Sequence, residues 1–568
     1  MMPSPQEPSN AEALIQFRKL PPETPISSIQ IPAPIKERKM TDVAFIFTYI
    51  FFILTLIGCA VYASFDSDTR RVNLYDDCGN LCGYDNQKVE GVSCTGVDMS
   101  DRPYLGEYKE IDNETKVTFD RRVCVENCDD DTEIASSELH RCQKKSKGID
   151  HDFKRLLVLM VKNIWRYFFV ILITLLINVI FLLMFRFALL IFIYLPFVIF
   201  LGIFGASAVY FFMMNQIISG VLSILFFIIV AITFFVVFFQ LHLVKLIFKE
   251  AAKAVYSAPL ILLCNVIVSL LGLVVSAATI YVMFIISTAA TLQKVGIVND
   301  VDLYEWKPTL VSILTLFLLL LKLLWTFEIL DAFGIMFVAG TVSSWYFSKD
   351  KTRMNIAVIK SIYVCLRFHI GTAIFGALII AIIRMLRMLT QKLMESRNMF
   401  LRFCVECLCS CLENIIRYFT TQAYIMTMIH GRGLWKSGKR AASIISENLN
   451  AAMSTFCLGK FVVYTNAMAV WAITGLISMF IFWDFYNDIY VFSFAIVLCI
   501  LIAAELTIYI FNVYLLAIES IILCYFEDLK VNDGASRPYA MSQDLKEFVE
   551  KSNSARPFSV TNMFRRDQ

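Results

Sequence analysis

Apolar residues in this chain are gathered into long runs, set apart by shorter polar and basic stretches. Runs cover residues 41–64, 165–185, 187–212, 219–247, 259–286, 309–347, 368–383, 401–429, 458–483 and 489–526. A helix rises ~1.5 Å per residue and the hydrocarbon core is ~30 Å thick, so roughly 20 apolar residues make a crossing. The pattern predicts an all-α polytopic membrane protein of about ten transmembrane helices. The polar segment over 65–162 is long enough to fold as one large disulfide-bonded extracellular loop. The expected organisation is a disordered tail at 1–42, a first span at 43–64, the loop at 65–162, a bundle at 163–526 and a polar tail at 527–568.

Composition supports this and excludes other classes. Of 568 residues 58% are hydrophobic, 49 are Phe, and the mean hydropathy is +0.65, too much apolar surface for a soluble protein of this size. A net charge of +3 argues against nucleic acid as a partner. The tail at 1–42 holds eight of the 14 prolines and ends in Lys36, Arg38 and Lys39, which places the N-terminus in the cytosol by the positive-inside rule. Basic residues at Lys245, Lys249 and Lys253, and at Lys349, Lys351 and Arg353, extend that reading. The expected address is a membrane, with both termini cytosolic. Between Arg384 and residue 429 the charge rule gives no direction.

The loop carries Cys78, Cys82, Cys94, Cys124, Cys128 and Cys142. Six cysteines outside the cell read as up to three disulfides, in any of fifteen pairings, and a zinc site is the alternative. Asn113-Glu114-Thr115 is a glycosylation sequon. From Asp66 to Asp152 there are 21 acidic and 12 basic residues, net −9, a field that would concentrate a cation.

The run over 309–347 is longer than a crossing needs, and it carries Lys322, Glu328 and Asp331 at depth, with Gly334 and Gly340 available to break a helix. Charges in lipid cost at least a few kcal/mol, so they face a bundle interior or a wetted path. Trp325, Trp345 and Tyr346 accompany these acids. In the last run Glu505, Asn512 and Glu519 recur every seven residues, on one helix face. Carboxylates beside aromatic faces suit a quaternary ammonium, which has no N–H to donate and is held by charge and cation–π attraction. The candidate substrate-binding residues are therefore Trp325, Glu328, Asp331, Trp345, Tyr346, Glu505, Asn512 and Glu519. The competing reading pairs some of these acids with Lys322 or Arg384 to hold the bundle. No P-loop, nucleophile elbow or HExxH occurs, and the five histidines are scattered, so neither an enzyme nor a cofactor or resident metal is expected. Cys404, Cys407, Cys409 and Cys411 lack zinc-finger spacing and read as packing or acylated cysteines.

FVAGTVSSWYFSKDK (Phe337 to Lys351), RFHIGTAIFGALIIAIIRMLR (Arg367 to Arg387), QAYIMTMIHGRG (Gln422 to Gly433), LGKFVV (Leu458 to Val463) and ESIILCYFEDLKVNDGASRPYAMS (Glu519 to Ser542) resemble the signatures of the choline transporter-like proteins, solute carrier family 44. So do the TDV at Thr41 to Val43, Cys82-Gly83, CVENC at Cys124 to Cys128, and Arg141-Cys142. The resemblance implies a multi-pass plasma-membrane protein that carries out facilitated, sodium-independent choline movement, with exchange against protons and use of ethanolamine or thiamine pyrophosphate among some members. It supplies no binding residues. Two other readings stand beside it: a multi-pass surface glycoprotein acting through its extracellular loop, and an organic-cation channel.

Overall fold

The Leu- and Phe-rich run at the centre of the chain folds as one continuous helix, Leu310–Phe347, in the computed structural model. Thr309 caps it, its side chain accepting a hydrogen bond from the Ser312 amide. The breaks anticipated at Gly334 and Gly340 do not occur. A glycine inside a helix costs ~1 kcal/mol, and close packing offsets it here: a Cβ at residue 340 would collide with Met428 and Ser361. At ~1.5 Å per residue the 38-residue helix is ~57 Å long and overhangs a bilayer core.

The structure describes residues 32–71, 75–111, 118–128, 133–136, 141–144, 163–187, 189–298, 301–352, 354–393, 399–486, 489–532 and 537–554. The helices in chain order are α1 (Val43–Ser64), α2 (Ile164–Phe187), α3 (Leu189–Met213), α4 (Ile217–Ser257), α5 (Leu260–Ser287), α6 (Leu310–Phe347), α7 (Asn355–Phe368), α8 (Ile370–Leu393), α9 (Met399–His430), α10 (Leu434–Glu447), α11 (Leu449–Ile481), α12 (Ile489–Val531) and α13 (Gln543–Ser554). Among the described residues eight helices are long and apolar enough to cross a membrane: α1, α2, α3, α5, α6, α8, α11 and α12. α4 and α9 are also long: α4 carries the apolar run 219–247 along most of its length, and α9 is amphipathic. The uncertain stretch after Arg384 is thus resolved into α8 and α9. Arg384 and Arg387 both bond Glu413, and Gln391 bonds Glu406, so the charges that obscured the topology join the two helices to each other.

Helix α6 packs against α1, α5, α7, α8, α9 and α12, and its second half is almost wholly buried. The other helices group around it: α1 with α8, α3 with α4, and α11 with α12.

One face of the bundle carries β-structure. Strands β1 (Tyr104–Ile111), β2 (Thr118–Val125), β3 (Glu133–Ser136) and β4 (Arg141–Lys144) form a sheet of order β2-β1-β4-β3. The disulfides are Cys78–Cys94, Cys82–Cys124 and Cys128–Cys142, which settles the pairing and removes the zinc alternative. Cross-links of this kind act by restricting the unfolded chain. The loop between α5 and α6 is a hairpin, β5 (Ala290–Val298) and β6 (Val301–Pro308), docked on the disulfide segment. The Tyr304 amide donates to the Asp77 carbonyl at 2.7 Å, Trp306 Nε1 donates to the Gly79 carbonyl at 3.1 Å, and Arg71 stacks 4.0 Å from the Trp306 ring. Asn113 lies outside the described residues.

The opposite face is closed by the stretch before α1. Of the tail expected to be disordered, residues 1–31 lie outside the described residues, whereas 33–42 are tied down. Arg38 Nη2 donates to the Met428 carbonyl at 2.6 Å and Nη1 to His369 Nε2 at 3.1 Å. With Nε2 accepting, Nδ1 carries the proton toward Thr41 Oγ1, 2.9 Å away. Asp42 takes a left-handed conformation and receives hydrogen bonds from Thr372 Oγ1 (2.6 Å) and the Leu434 amide (2.9 Å), so it caps α10. A Cβ at residue 371 would strike the Asp42 backbone, so glycine is required there. Burial and the neighbouring Arg38 hold the His369 imidazole down at about 3, and burial lowers Arg38 to about 10.

Candidate functional site

Glu328 has 18 helical residues before it back to Leu310 and 19 after it to Phe347, so it sits at the midpoint of α6. Three residues later, Asp331 shares its face. Two arginines come to meet them. Arg384 of α8 places Nη1 2.7 Å from Glu328 Oε1, and Arg417 of α9 places Nη2 2.8 Å from the same oxygen. Arg417 Nη1 also reaches Asp331 Oδ2 at 3.3 Å. With Glu413 and Arg387 the cluster holds three carboxylates and three guanidiniums and is balanced in charge.

The balance is uneven in space. Glu328 is 3% exposed, and both arginines bind one of its oxygens; the other, Oε2, is buried with no hydrogen-bond partner among the described residues. Asp331 keeps 57% of its side-chain surface exposed. Both acids line a cavity of about 420 Å³ between α5, α6 and α12. Its other walls include Asn265 and Ser269 of α5, Phe327 of α6, and Tyr509 and Asn512 of α12. Gly334 admits α5 at this point, since Asn265 Oδ1 lies 2.8 Å from where a Cβ would stand. The arrangement offers a cation one open carboxylate, one bare carboxylate oxygen and two aromatic rings. It also sets that cation in competition with Arg417. No group of three or more His, Cys, Asp or Glu among the described residues is placed to hold a metal ion, and Cys404, Cys407, Cys409 and Cys411 lie along α9 as free cysteines.

The eight sequence candidates do not share one place. Glu328, Asp331 and Asn512 line the cavity. Trp325 is turned toward α1 and α8, donating Nε1–H to the Ile374 carbonyl at 3.0 Å, with Tyr49 edge-on at 4.8 Å. Trp345 and Tyr346 follow Glu328 by 17 and 18 residues, ~26 Å along the helix. There Lys351 stands over the Trp345 ring at 4.7 Å and Tyr346 donates to Asp528 at 3.2 Å. Glu505 is exposed and outside the cavity wall, and Glu519, 4% exposed, accepts a hydrogen bond from Gln422 Nε2 at 2.8 Å. Lys322 donates to Thr279 at 2.6 Å and pairs with neither acid of α6 among the described residues; Arg384 does pair. Arg417, Asn265, Ser269, Phe327 and Tyr509 were not singled out from sequence. Arg417 had a signal, a lone arginine deep in the 401–429 run, and Tyr509 lies one helical turn before Asn512.

A family profile described as plasma-membrane choline transporter matches residues 220–530, more than half of the 568. The chain belongs to this family. All the cavity residues fall inside the matched region. Among curated relatives, choline transporter-like protein 2 of Danio rerio is 30% identical over 251 residues, 41% of this chain and 36% of the relative. Choline transporter-like protein 2 of Dictyostelium discoideum is 29% identical over 236 residues, 40% of this chain and 37% of the relative. Choline transporter-like protein 1 of Torpedo marmorata is 28% identical over 286 residues, 49% of this chain and 43% of the relative. The match thus spans well under half the length of each of these choline transporter-like relatives.

Proposed function

We propose that this chain moves choline across a membrane, and that the cavity between α5, α6 and α12 is where the cation is held. The observation that carries this is the half-satisfied pair Glu328 and Asp331 at the midpoint of α6, facing a cavity with aromatic walls. A trimethylammonium group is attracted to carboxylates and ring faces without needing a hydrogen-bond acceptor aimed at it. In this reading the cation draws Asp331 away from Arg417, and Arg384 retains Glu328. The bound cation leaves the cluster with one positive charge in excess, and Arg417, still bonded to Glu328, is not left as an unpaired buried charge.

The finer properties are part of the same proposal. Transport is facilitated and sodium-independent, ethanolamine is a weaker substrate because it lacks the methyl groups that fill an aromatic site, and protons move in exchange. The protein resides in the plasma membrane with the disulfide face outside and both termini cytosolic, and it acts as a carrier and not as an enzyme. Uptake of radiolabelled choline into proteoliposomes, with sodium replaced by potassium, tests this. Saturable uptake that falls in Asp331→Asn supports the carrier. Non-saturating flux would make it a channel, and no flux would leave a surface glycoprotein.

A further inference from the structure

Helix α9 carries a polar side chain at every fourth position over half its length: Glu406, Ser410, Asn414, Tyr418 and Gln422. Residues four apart are neighbours on a helix surface, so the five form a continuous ladder ~24 Å long. The first four line a cleft of about 880 Å³ between α9 and α11, together with Arg387 of α8 and Lys460 of α11. The Glu406 end is remote from residues 33–42, because α8 starts and α9 ends beside that stretch. The Tyr418 end is level with the midpoint of α6, since the adjacent Arg417 binds Glu328. The ladder therefore runs inward from the disulfide side to the middle of the bundle.

A carboxyl group stands at its inner end. Gln422 Nε2 donates to Glu519 Oε2 of α12 at 2.8 Å, and Glu519 is 4% exposed. The charged and titratable groups that face it are Lys460 of α11 and Tyr418 of α9. Tyr418 Oη and Gln422 Oε1 are both buried with no hydrogen-bond partner among the described residues. An ionised carboxylate has no hydrogen to give Gln422 Oε1, whereas a protonated one can donate to it and close a two-bond pair with the amide. A buried charge whose one hydrogen bond comes from a neutral amide is also costly, and a proton removes that cost. The choline cavity is near: Glu519 follows Asn512 by seven residues, ~10 Å along α12. A cation in the cavity and a proton on Glu519 repel across low-dielectric protein, so arrival of one favours loss of the other. Helix α9 touches both places, through Arg417 and, five residues later, Gln422.

We propose that Glu519 carries an exchangeable proton and that the ladder from Glu406 to Gln422 leads this proton between Glu519 and the disulfide side. The inference rests on the transport reading and gives its proton exchange a residue and a route. As choline enters the cavity, Glu519 gives its proton along the ladder to water in the cleft, which becomes hydronium and leaves a carboxylate. Lys460, whose Nζ lies 5.8 Å from the Tyr418 ring, offsets that negative charge. Once choline has left toward the opposite face, hydronium there returns a proton to the carboxylate and becomes water.

Proteoliposomes of the full chain, given labelled choline with and without an acidic interior, test this. One-for-one exchange accumulates choline about tenfold per pH unit of gradient. Glu519→Gln should remove that accumulation relative to choline–choline exchange measured without a gradient. Asn414→Leu, in the exposed part of the ladder, should slow gradient-driven uptake about tenfold relative to the same exchange, and it is the second probe if Glu519→Gln folds poorly. A readout that needs no transport is infrared difference spectroscopy of the chain in detergent between neutral and alkaline pH, where Glu519→Gln should remove a protonated-carboxyl band. Accumulation retained in Glu519→Gln, or a band that this substitution leaves unchanged, would overturn the inference while the choline reading stands. Full gradient-driven uptake in Asn414→Leu would overturn the route. A band lost in Glu519→Gln, in a chain that moves no choline, would support the proton site and overturn the transport reading instead.

Discussion

The two halves of α6 hold similar residue types and treat them oppositely. At the midpoint Glu328 and Asp331 meet Arg384 and Arg417 beside open volume, and one carboxylate oxygen is left bare. Eighteen residues beyond Glu328, Tyr346 is enclosed, its hydroxyl committed to Asp528, whose oxygens also take the amides of Ala540 and Met541. The first half is polar and under-packed; the second is polar and closed. What separates a candidate site from a structural joint is the volume beside the polar groups and the hydrogen-bonding capacity left over, which residue type alone does not reveal.

The largest effect that would break this contrast is expected from Glu328→Ala. It strands Arg384 and Arg417 in the bundle, and removing one partner of a buried pair costs ~3–5 kcal/mol. Both the amount of folded protein, by size-exclusion fluorescence, and choline uptake should collapse. Asp331→Asn sharpens the comparison, because this carboxylate is open and makes one long ion pair. Uptake should fall about tenfold, the factor given by ~1.4 kcal/mol of lost attraction, with folded yield nearly kept; equal losses of yield and uptake would place Asp331 with the structural residues. In the closed half Tyr346→Phe removes one hydrogen bond and should lower stability by ~1 kcal/mol in a thermal-melt assay, with uptake per folded molecule unchanged. The smallest effect concerns the clasp before α1. His369 stays neutral in the folded protein down to about 3, whereas a free imidazole takes up its proton near 6.5. Stability of the clasp is therefore complete above pH ~6.5 and lost as pH falls toward 3. Hydrogen exchange over residues 33–42 should accelerate on acidification from pH 7 to 5, and His369→Gln should flatten that response.

Much of the fold was legible because membranes impose a simple rule: long apolar runs become helices, and the runs at 41–64 and 259–286 match α1 and α5 closely. The disulfide segment was legible as a cysteine set, but its pairing was not, since spacing leaves fifteen solutions open. The site was legible in part. Glu328, Asp331 and Asn512 share the cavity, yet the heptad of Glu505, Asn512 and Glu519 does not act as one stripe, because α12 has different neighbours at each turn. The order of residues 33–42 was hidden by the proline-rich composition of the 1–42 tail that they end. What orders them is not local propensity but contacts with Phe368, His369, Met428 and Leu434, more than 300 residues away.

The β5–β6 hairpin and the clasp hold the same rod at its two tips. Arg71 and Ser67, just beyond α1, join the strands that lead into α6, while Thr41 and Asp42, just before it, grip α8 and α10. A rod pinned at both tips cannot swing alone, so α1, α6 and α8 travel as one slab. The candidate cavity lies along the seam where α12 meets that slab. Any opening of that cavity is thereby placed at the seam, with the Tyr346–Asp528 joint as its closed end.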